Sequence, residues 1–331
     1  WVKDMKKYIG WIIGLCILAG GATTCAIRWE AWFGNPTEPE WTEERIDHRF
    51  MTMNNDSVLR ALQCDTLSFL LLGDIHNSLS NEQMALLSER HPDIQFWAQL
   101  GDWMERPYLY YEQKMYQSLL HTRLDSLPIV AIPGNHEYLK GVVKTLPEHW
   151  KHVFPNPKNG PKRFLGTSYF VDFPYCRIIA LDTDGLHRMS DYTQTVFWLK
   201  KTLRGAGNKF AIVMMHHPVY STAKGRCNPW ILLSFHGAMR EADIVFSGHD
   251  HNYARRTEYY KARFWKKEEP TTFIATNASD KVYPIKKKEN LDTSFTGKPV
   301  YEYVQIMPNA LVVRTLQLDS GELVDEMKLC K

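Results

Sequence analysis

Cysteine is scarce in this chain and never clustered. Its 331 residues include 6 cysteines and no Cys-x-x-Cys pair, which excludes a disulfide-stapled fold and a cysteine zinc site. An excess of charge of either sign is also lacking. The 40 basic side chains stand against 37 acidic ones, for a net charge of +3, and so even a balance argues against nucleic acid as a partner. No internal repeat or low-complexity tract is present. With 44% hydrophobic and 23% charged residues, the composition is that of a globular chain able to bury a sizeable core, so collagen-like and disordered readings fall away.

Charge is missing altogether from one stretch. Tyr8 to Ile27 carry none over 20 positions, and a helix of that length spans about 30 Å, the hydrocarbon thickness of a bilayer. Lys3, Lys6 and Lys7 precede it and Arg28 and Glu30 follow, so the N-terminal side is expected to stay in the cytoplasm and the rest to lie outside it. An uncleaved signal anchor is the preferred reading. A cleaved signal peptide, lipidation at Cys25 and a buried core helix are the alternatives. Ala22, Thr23 and Thr24 fit a lipidation site poorly, and Gly10, Gly14, Gly20 and Gly21 would weaken a core helix in water. Met5 reads as a natural start. The chain thus divides into a cytoplasmic N-terminus (1–7), a transmembrane anchor or signal peptide (8–27), a juxtamembrane linker that becomes a domain edge (28–63) and one large domain (64–331). Trp29, Trp32 and Trp41 in the linker suit a membrane interface or packing on the domain.

From residue 64 onward, apolar and often β-branched runs recur, each ending in a polar cluster. Leu67 to Leu72 runs into Gly73-Asp74-Ile75-His76, and Phe96 to Leu100 into Gly101-Asp102. Ile129 to Ile132 runs into Pro133-Gly134-Asn135-His136-Glu137, Phe210 to Met215 into His216-His217-Pro218, and Ile244 to Phe246 into Ser247-Gly248-His249-Asp250-His251. Helical stretches at 81–90, 109–124, 192–203 and 230–240 lie between strands, and 169–171 and 177–181 read as a strand pair. Alternation of this kind is the mark of an α/β fold. Four further strands at 271–276, 301–307, 311–318 and 322–329 are expected to form a second, antiparallel sheet, and Lys286 to Lys288 a solvated loop.

Each polar cluster sits at the C-terminal end of a predicted strand, the edge at which open α/β sheets bind ligands. The clusters gather Asp74, His76, Asp102, Asn135, His136, His216, His249 and His251. Imidazole and carboxylate donors without sulfur suit zinc, manganese or iron. Asp74 and His76 are two apart, as are His249 and His251, and residues i and i+2 of an extended chain point to one side. Glycine directly before Asp74, Asp102, Asn135 and His249 permits close backbone approach.

The series Asp74-x-His76, Gly101-Asp102, Gly134-Asn135-His136-Glu137, Val213-x-x-His216 and Gly248-His249-x-His251 resembles the calcineurin-like metallophosphoesterase superfamily over roughly residues 66–329. Tyr169-Phe170 to Asp182-Thr183, the helix around Trp198 and His249 to Tyr253 look most like its purple acid phosphatase branch. That branch usually has a metal-binding tyrosine three residues after the second motif's aspartate, where this chain has Glu105. The resemblance implies a four-layer α/β/β/α sandwich of two mixed sheets flanked by helices. It implies two divalent or mixed-valence metal ions (iron, manganese or zinc). Asp74, His76 and His251 would hold the first, Asn135, His216 and His249 the second, and Asp102 would bridge them. His136 would face the leaving group.

Hydrolysis of a phosphate ester is slow because the anionic centre repels hydroxide. Two cations would neutralise its oxygens and acidify a water, and an imidazole is suited to protonating the departing alkoxide. His136 is the candidate for that step, with Glu137 either orienting it or capping a helix. His217, Arg106 and Tyr220 are expected to meet the substrate. The expected function is hydrolysis of a small-molecule phosphate ester, a monoester first. A phosphodiester or a nucleotide or lipid pyrophosphate comes second, and a non-catalytic metal-binding envelope protein is the reading from another class.

Overall fold

A computed structural model describes residues 39–140, 143–259, 270–286 and 289–331. The apolar run at 8–27 lies outside the described residues, as do Cys25, Trp29, Trp32 and the last two lysines of the 286–288 run. Among the described residues, no helix is long and apolar enough to cross a membrane.

Among the described residues, thirteen strands form two mixed sheets. In chain order they are β1 (Leu67–Leu72), β2 (Phe96–Gln99), β3 (Ile129–Ala131), β4 (Tyr169–Asp172), β5 (Cys176–Leu181), β6 (Phe210–Met215), β7 (Ile244–Ser247), β8 (Tyr253–Glu258), β9 (Thr271–Ala275), β10 (Thr293–Phe295), β11 (Val300–Met307), β12 (Ala310–Gln317) and β13 (Leu323–Cys330). One sheet runs β13-β12-β11-β1-β2-β3 and the other β10-β8-β9-β7-β6-β5-β4. Strands β1, β2 and β3 are parallel to one another. So are β5, β6, β7 and β9.

The strand residues alternate between two apolar environments, and this builds the layers. Along β1, Leu67, Phe69 and Leu71 enter a core between the sheets, while Leu70 and Leu72 face outward. Along β6, Phe210, Ile212 and Met214 enter that same core, while Ala211, Val213 and Met215 face the opposite outer layer. Helices cover both outer faces. Met84 and Leu87 of the helix Asn81–Arg90 and Met115 and Leu119 of Leu109–Leu119 pack on the first sheet. Leu199 and Leu203 of Met189–Arg204 and Ile231 and Phe235 of Pro229–Phe235 pack on the second. The result is the expected α/β/β/α sandwich. Helix Asn81–Arg90 starts where the sequence supplies a capping box: the Gln83 N–H donates to Ser80 Oγ and the Ser80 N–H to Gln83 Oε1.

Two expectations need correction. The C-terminal strands do not form a sheet of their own. β9 lies parallel beside β7, while β11 pairs antiparallel with β1 and carries β12 and β13 with it. Strand β1 is buried on both faces, and without β11 its free edge would expose unpaired backbone groups. The helix expected over 109–124 stops at Leu119 and resumes as a single turn at Arg123–Ser126, because His121 between them takes a left-handed conformation (φ 64°).

Ahead of the first strand, residues from 39 onward already pack on the domain. The Ile129 N–H donates to Met51 O, and the Phe50 ring stacks on Phe154 at 5.1 Å.

One buried acid breaks the apolar pattern between the sheets. Glu302 of β11 shares the strand face of Val300 and Val304, is 0% exposed, and accepts from Thr315 Oγ1 at 2.6 Å. Burial pushes its carboxyl up to about 8, with the Thr315 and Thr276 hydroxyls acting against the shift. A carboxyl raised in the folded state holds its proton there after the unfolded chain has lost its own. Its stabilising contribution is therefore complete below the unfolded value near 4.5 and is lost as pH rises toward 8. Glu302→Gln, neutral at every pH, is expected to gain stability relative to the unaltered chain between pH 5 and 8, by up to about 1.4 kcal/mol per pH unit. Urea unfolding of both proteins across that range tests this, and parallel stability curves would refute it.

Candidate active site

The polar clusters meet where the C-terminal ends of β1, β2, β3, β5, β6 and β7 converge. Their loops are tied to one another by backbone hydrogen bonds. The His76 N–H donates to Asp102 O at 2.9 Å, the Asp74 N–H to Gly101 O at 3.3 Å, and the Gly248 N–H to His216 O at 3.0 Å. This is tight packing: a Cβ on Gly134 would lie 2.4 Å from both the amide nitrogen and Oδ1 of Asp102.

Two groups of donors form around one carboxylate. Asp74, His76, Asp102 and His251 bring ligand atoms within 4.8 Å of one another, and Asp102, His216 and His249 do the same. Asp102 Oδ2 is 3.5 Å from His76 Nε2, and its Oδ1 is 3.3 Å from His216 Nε2. Asn135 Oδ1 joins the second group at 3.2 Å from His216 Nε2. All seven residues expected to hold metal are thus brought together. Strand alternation is not what pairs them. Asp74, His76, Asp102, His249 and His251 are not extended but left-handed, with φ between 49° and 70°. A sharp turn after each strand, not strand alternation, aims i and i+2 at the same point.

Hydrogen bonds to carbonyls fix which imidazole nitrogens face the centre. His216 Nδ1–H donates to Leu100 O at 2.9 Å and His251 Nδ1–H to Lys281 O at 3.2 Å, which leaves each Nε2 as a lone pair directed inward. His76 Nδ1 lies 3.2 Å from a Glu105 carboxylate oxygen, at ion-pair distance but without hydrogen-bond geometry. His76 Nε2 and His251 Nε2 then stand 3.3 Å apart, as do His216 Nε2 and His249 Nδ1. Two ring nitrogens at that distance need a proton or a cation between them, and the convergence of buried imidazole, carboxylate and amide donors fits a divalent metal centre.

The electrostatics agree. Burial holds the imidazoles of His76 and His251 neutral, down to about 2 and about 4, and also lowers His249. For His216 burial acts the same way, but the charge of Asp102 overrides it and raises the ring to about 10. Burial pushes Asp74 up. Glu137 rises to about 7 through burial first and the charge of Asp102 second. Two buried carboxyls driven toward their neutral forms and one imidazole driven toward its cation all report a centre that demands positive charge.

His136 lies at the rim. Its backbone N–H donates to Asp102 Oδ1 at 2.8 Å, its Nδ1–H is held by Glu105 O, and its Nε2 is 3.9 Å from Asp102 Oδ2. It lines a cavity of about 180 Å³ together with Arg106, Tyr108 and Lys140. His217 lies beside His249 with ring centroids 4.1 Å apart and planes tilted by 49°, and its Nδ1 lies 3.1 Å from the buried carboxylate of Asp184. It borders a cavity of about 320 Å³ that also holds Lys144, Tyr192, Asn228 and Trp230. Tyr220 goes elsewhere. Its hydroxyl bonds His236 Nδ1 at 2.6 Å and its ring packs edge-on against Phe273 in the outer layer, so it lines neither cavity. Trp103, next to Asp102, is a core residue whose ring lies 5.6 Å from that of Phe50.

Glu137 neither orients His136 nor caps a helix. It accepts the backbone N–H of Asp102 at 2.8 Å, Met104 at 3.0 Å and Gly134 at 2.6 Å, locking two strand ends together. Asp250 does the same for the loop after β6, accepting from Ser221 Oγ, Thr222 N and Ala223 N. Asp184 was also missed, although its position two residues after Asp182 at the end of β5 matched the spacing seen at the other strand ends.

Comparison with known proteins agrees with this geometry. The glycerophosphodiester phosphodiesterase GpdQ of Enterobacter lignolyticus (strain SCF1) is 25% identical over 143 residues, which are 41% of this chain and 49% of that protein. The chain therefore matches about half the length of this curated relative. Among solved structures, the purple acid phosphatase PPD1 from yellow lupin (Lupinus luteus) seeds shares the fold with a TM-score of 0.60 at 15% identity, covering 81% of this chain and 54% of its own. GAP50, the anchor in the inner membrane complex of Plasmodium, does so with a TM-score of 0.58 at 16% identity, covering 81% and 89%. The model of the calcineurin-like phosphoesterase family matches residues 67–253, more than half of the sequence and every one of the seven donors, and the chain belongs to that family.

Proposed function

We propose that this protein hydrolyses phosphate esters with the help of a pair of metal ions. The observation that carries the reading is Asp102, whose two carboxylate oxygens face two separate groups of inward-directed donors. Asp74, His76 and His251 would hold one ion and Asn135, His216 and His249 the other, with Asp102 shared. Nitrogen and oxygen donors without sulfur suit iron, manganese or zinc. When bound, such ions would supply neutralisation of the phosphate oxygens and acidification of an attacking water.

The remaining steps fall to the chain's own side chains. His136 keeps Nδ1–H on the Glu105 carbonyl and therefore gives or takes a proton only at Nε2, the atom nearer the centre. That places a proton donor beside the cavity in which a leaving group would sit. His217, braced by Asp184, leaves Nε2 for a substrate oxygen, and Arg106 offers a guanidinium at the edge of the His136 cavity.

A monoester is the first reading, on the likeness to the purple acid phosphatase branch. A diester is the second, because separate cavities adjoin His136 and His217 and would take two organic groups. The partial similarity to a glycerophosphodiester phosphodiesterase supports it. Comparing kcat/KM for nitrophenyl phosphate and bis(nitrophenyl) phosphate separates the two. A non-catalytic role, suggested by the description of GAP50 as an anchor, is weighed against by the full donor set and by His136. The apolar run at 8–27 with lysines before it supports placing the domain outside the cytoplasm.

Asp102→Ala is expected to abolish binding of both ions, whereas His136→Ala is expected to retain two ions per chain and lower kcat about 10²–10⁴-fold. Metal content by mass spectrometry alongside turnover decides. Two tightly held ions in Asp102→Ala would end the bridging assignment, and full turnover in His136→Ala would end the proton-donor assignment.

A further inference from the structure

We propose that Glu105 is a positioning residue of the metal centre, fixing the ligand His76 through its carboxylate and the proton donor His136 through its carbonyl. The inference rests on the dinuclear reading above and adds a residue to it. Glu105 is anchored at its own backbone, where its N–H donates to Asn77 Oδ1 at 2.8 Å. Its carboxylate Oε2 accepts from Lys281 Nζ at 2.6 Å on one side and on the other stands at ion-pair distance, 3.2 Å, from the buried His76 Nδ1, which has no hydrogen-bond partner of its own. Lys281 in turn accepts His251 Nδ1–H at its carbonyl. The two imidazoles whose Nε2 atoms converge to 3.3 Å are therefore held from behind by two residues that are bonded to each other.

Ligand atoms of Glu105, His76 and His136 also lie within 4.8 Å of one another, but Asp74, His76, Asp102 and His251 form their group without Glu105, which assigns it to positioning rather than to direct ligation. A carboxylate on the far nitrogen of a ligating imidazole fixes the tautomer and ring angle and strengthens the donor atom. A surface ion pair with Lys281 alone would do none of this and would contribute little. Because His136 is held by a backbone carbonyl, that bond survives any side-chain substitution at 105, so effects on the metal and on the acid are separable.

The test is calorimetric titration of the metal-depleted chain with Mn²⁺ and, separately, with Zn²⁺. Glu105→Gln, which keeps a neutral acceptor, is expected to weaken one of the two binding events about 10-fold. Glu105→Ala is expected to weaken it toward about 100-fold, with the other event unchanged. Lys281→Met, which removes the ion pair but leaves the acceptor, is expected to change neither by more than about fivefold. Turnover lost by the Glu105 variants at limiting metal should return at saturating metal. Wild-type affinity at both positions in both Glu105 variants, or turnover that saturating metal fails to restore, overturns the proposal. Should the unaltered chain bind neither ion, the dinuclear reading falls first and the role of Glu105 with it.

Discussion

Asp102 stands at the meeting of the two sheets, its oxygens turned toward donors from different layers: His76 from the end of β1 and His216 from the end of β6. For one carboxylate to serve both, the sheets must be stacked in a fixed relation, and the interleaved core of Phe69, Phe96, Ile178, Ile212 and Ile274 supplies that rigidity. A slip of one residue in any of the parallel pairings would turn a ligand into the apolar core and a core residue into the site. The same alternation that builds four layers therefore also aims the chemistry.

That aim carries a conformational cost. Left-handed backbone at a residue with a Cβ is unfavourable by about 1–2 kcal/mol, and five of the seven donors adopt it. Such conformations persist only where the surroundings over-determine them. Here the surroundings are acids that bind backbone. Asp74 accepts the His249 N–H at 2.9 and 2.7 Å, Glu137 accepts three N–H groups, and Asp250 clamps the loop after β6. Asp74 thus has two roles, as an expected ligand and as the cap that holds a second ligand's loop in place.

Much of this was legible in the sequence, and the illegible parts share a cause. The runs at 67–72 and 210–215 are read without error because both of their faces are apolar. Strand β8, Tyr-Ala-Arg-Arg-Thr-Glu, was not read at all, since consecutive arginines on a half-exposed strand break the alternation. The three residues of β10 are too few to carry a pattern. The donors stood out because each is a chemically distinctive residue at a strand end. The bonding roles of Glu137, Asp250 and Glu105 did not, because their partners are backbone groups or side chains that only the fold brings near. Glu105 is bonded to Lys281 across 176 positions, and no local spacing announces such a partner. Tyr220 shows the converse error: nearness in sequence to His216 says nothing about direction, and its ring turned to the outer layer.

The charges at the centre explain why folding and metal binding belong together in this chain. The donors come from loops after β1, β2, β3, β6 and β7, so no fragment of the unfolded chain presents more than a pair of them. An ion that binds only the assembled set stabilises the fold by about 2.7 kcal/mol at 100 times its Kd. The folded protein without positive charge at that point would have to hold Asp74, Asp102 and Glu137 together in a buried space, and the upward shifts of Asp74 and Glu137 show it resisting. The raised His216 shows the alternative, a proton drawn in as a partial substitute for a cation. A proton on His216 removes a lone pair that the second group of donors needs, so proton and metal compete for the same nitrogen. The site is thus built on a standing conflict between buried acids, which positive charge at the centre would relieve.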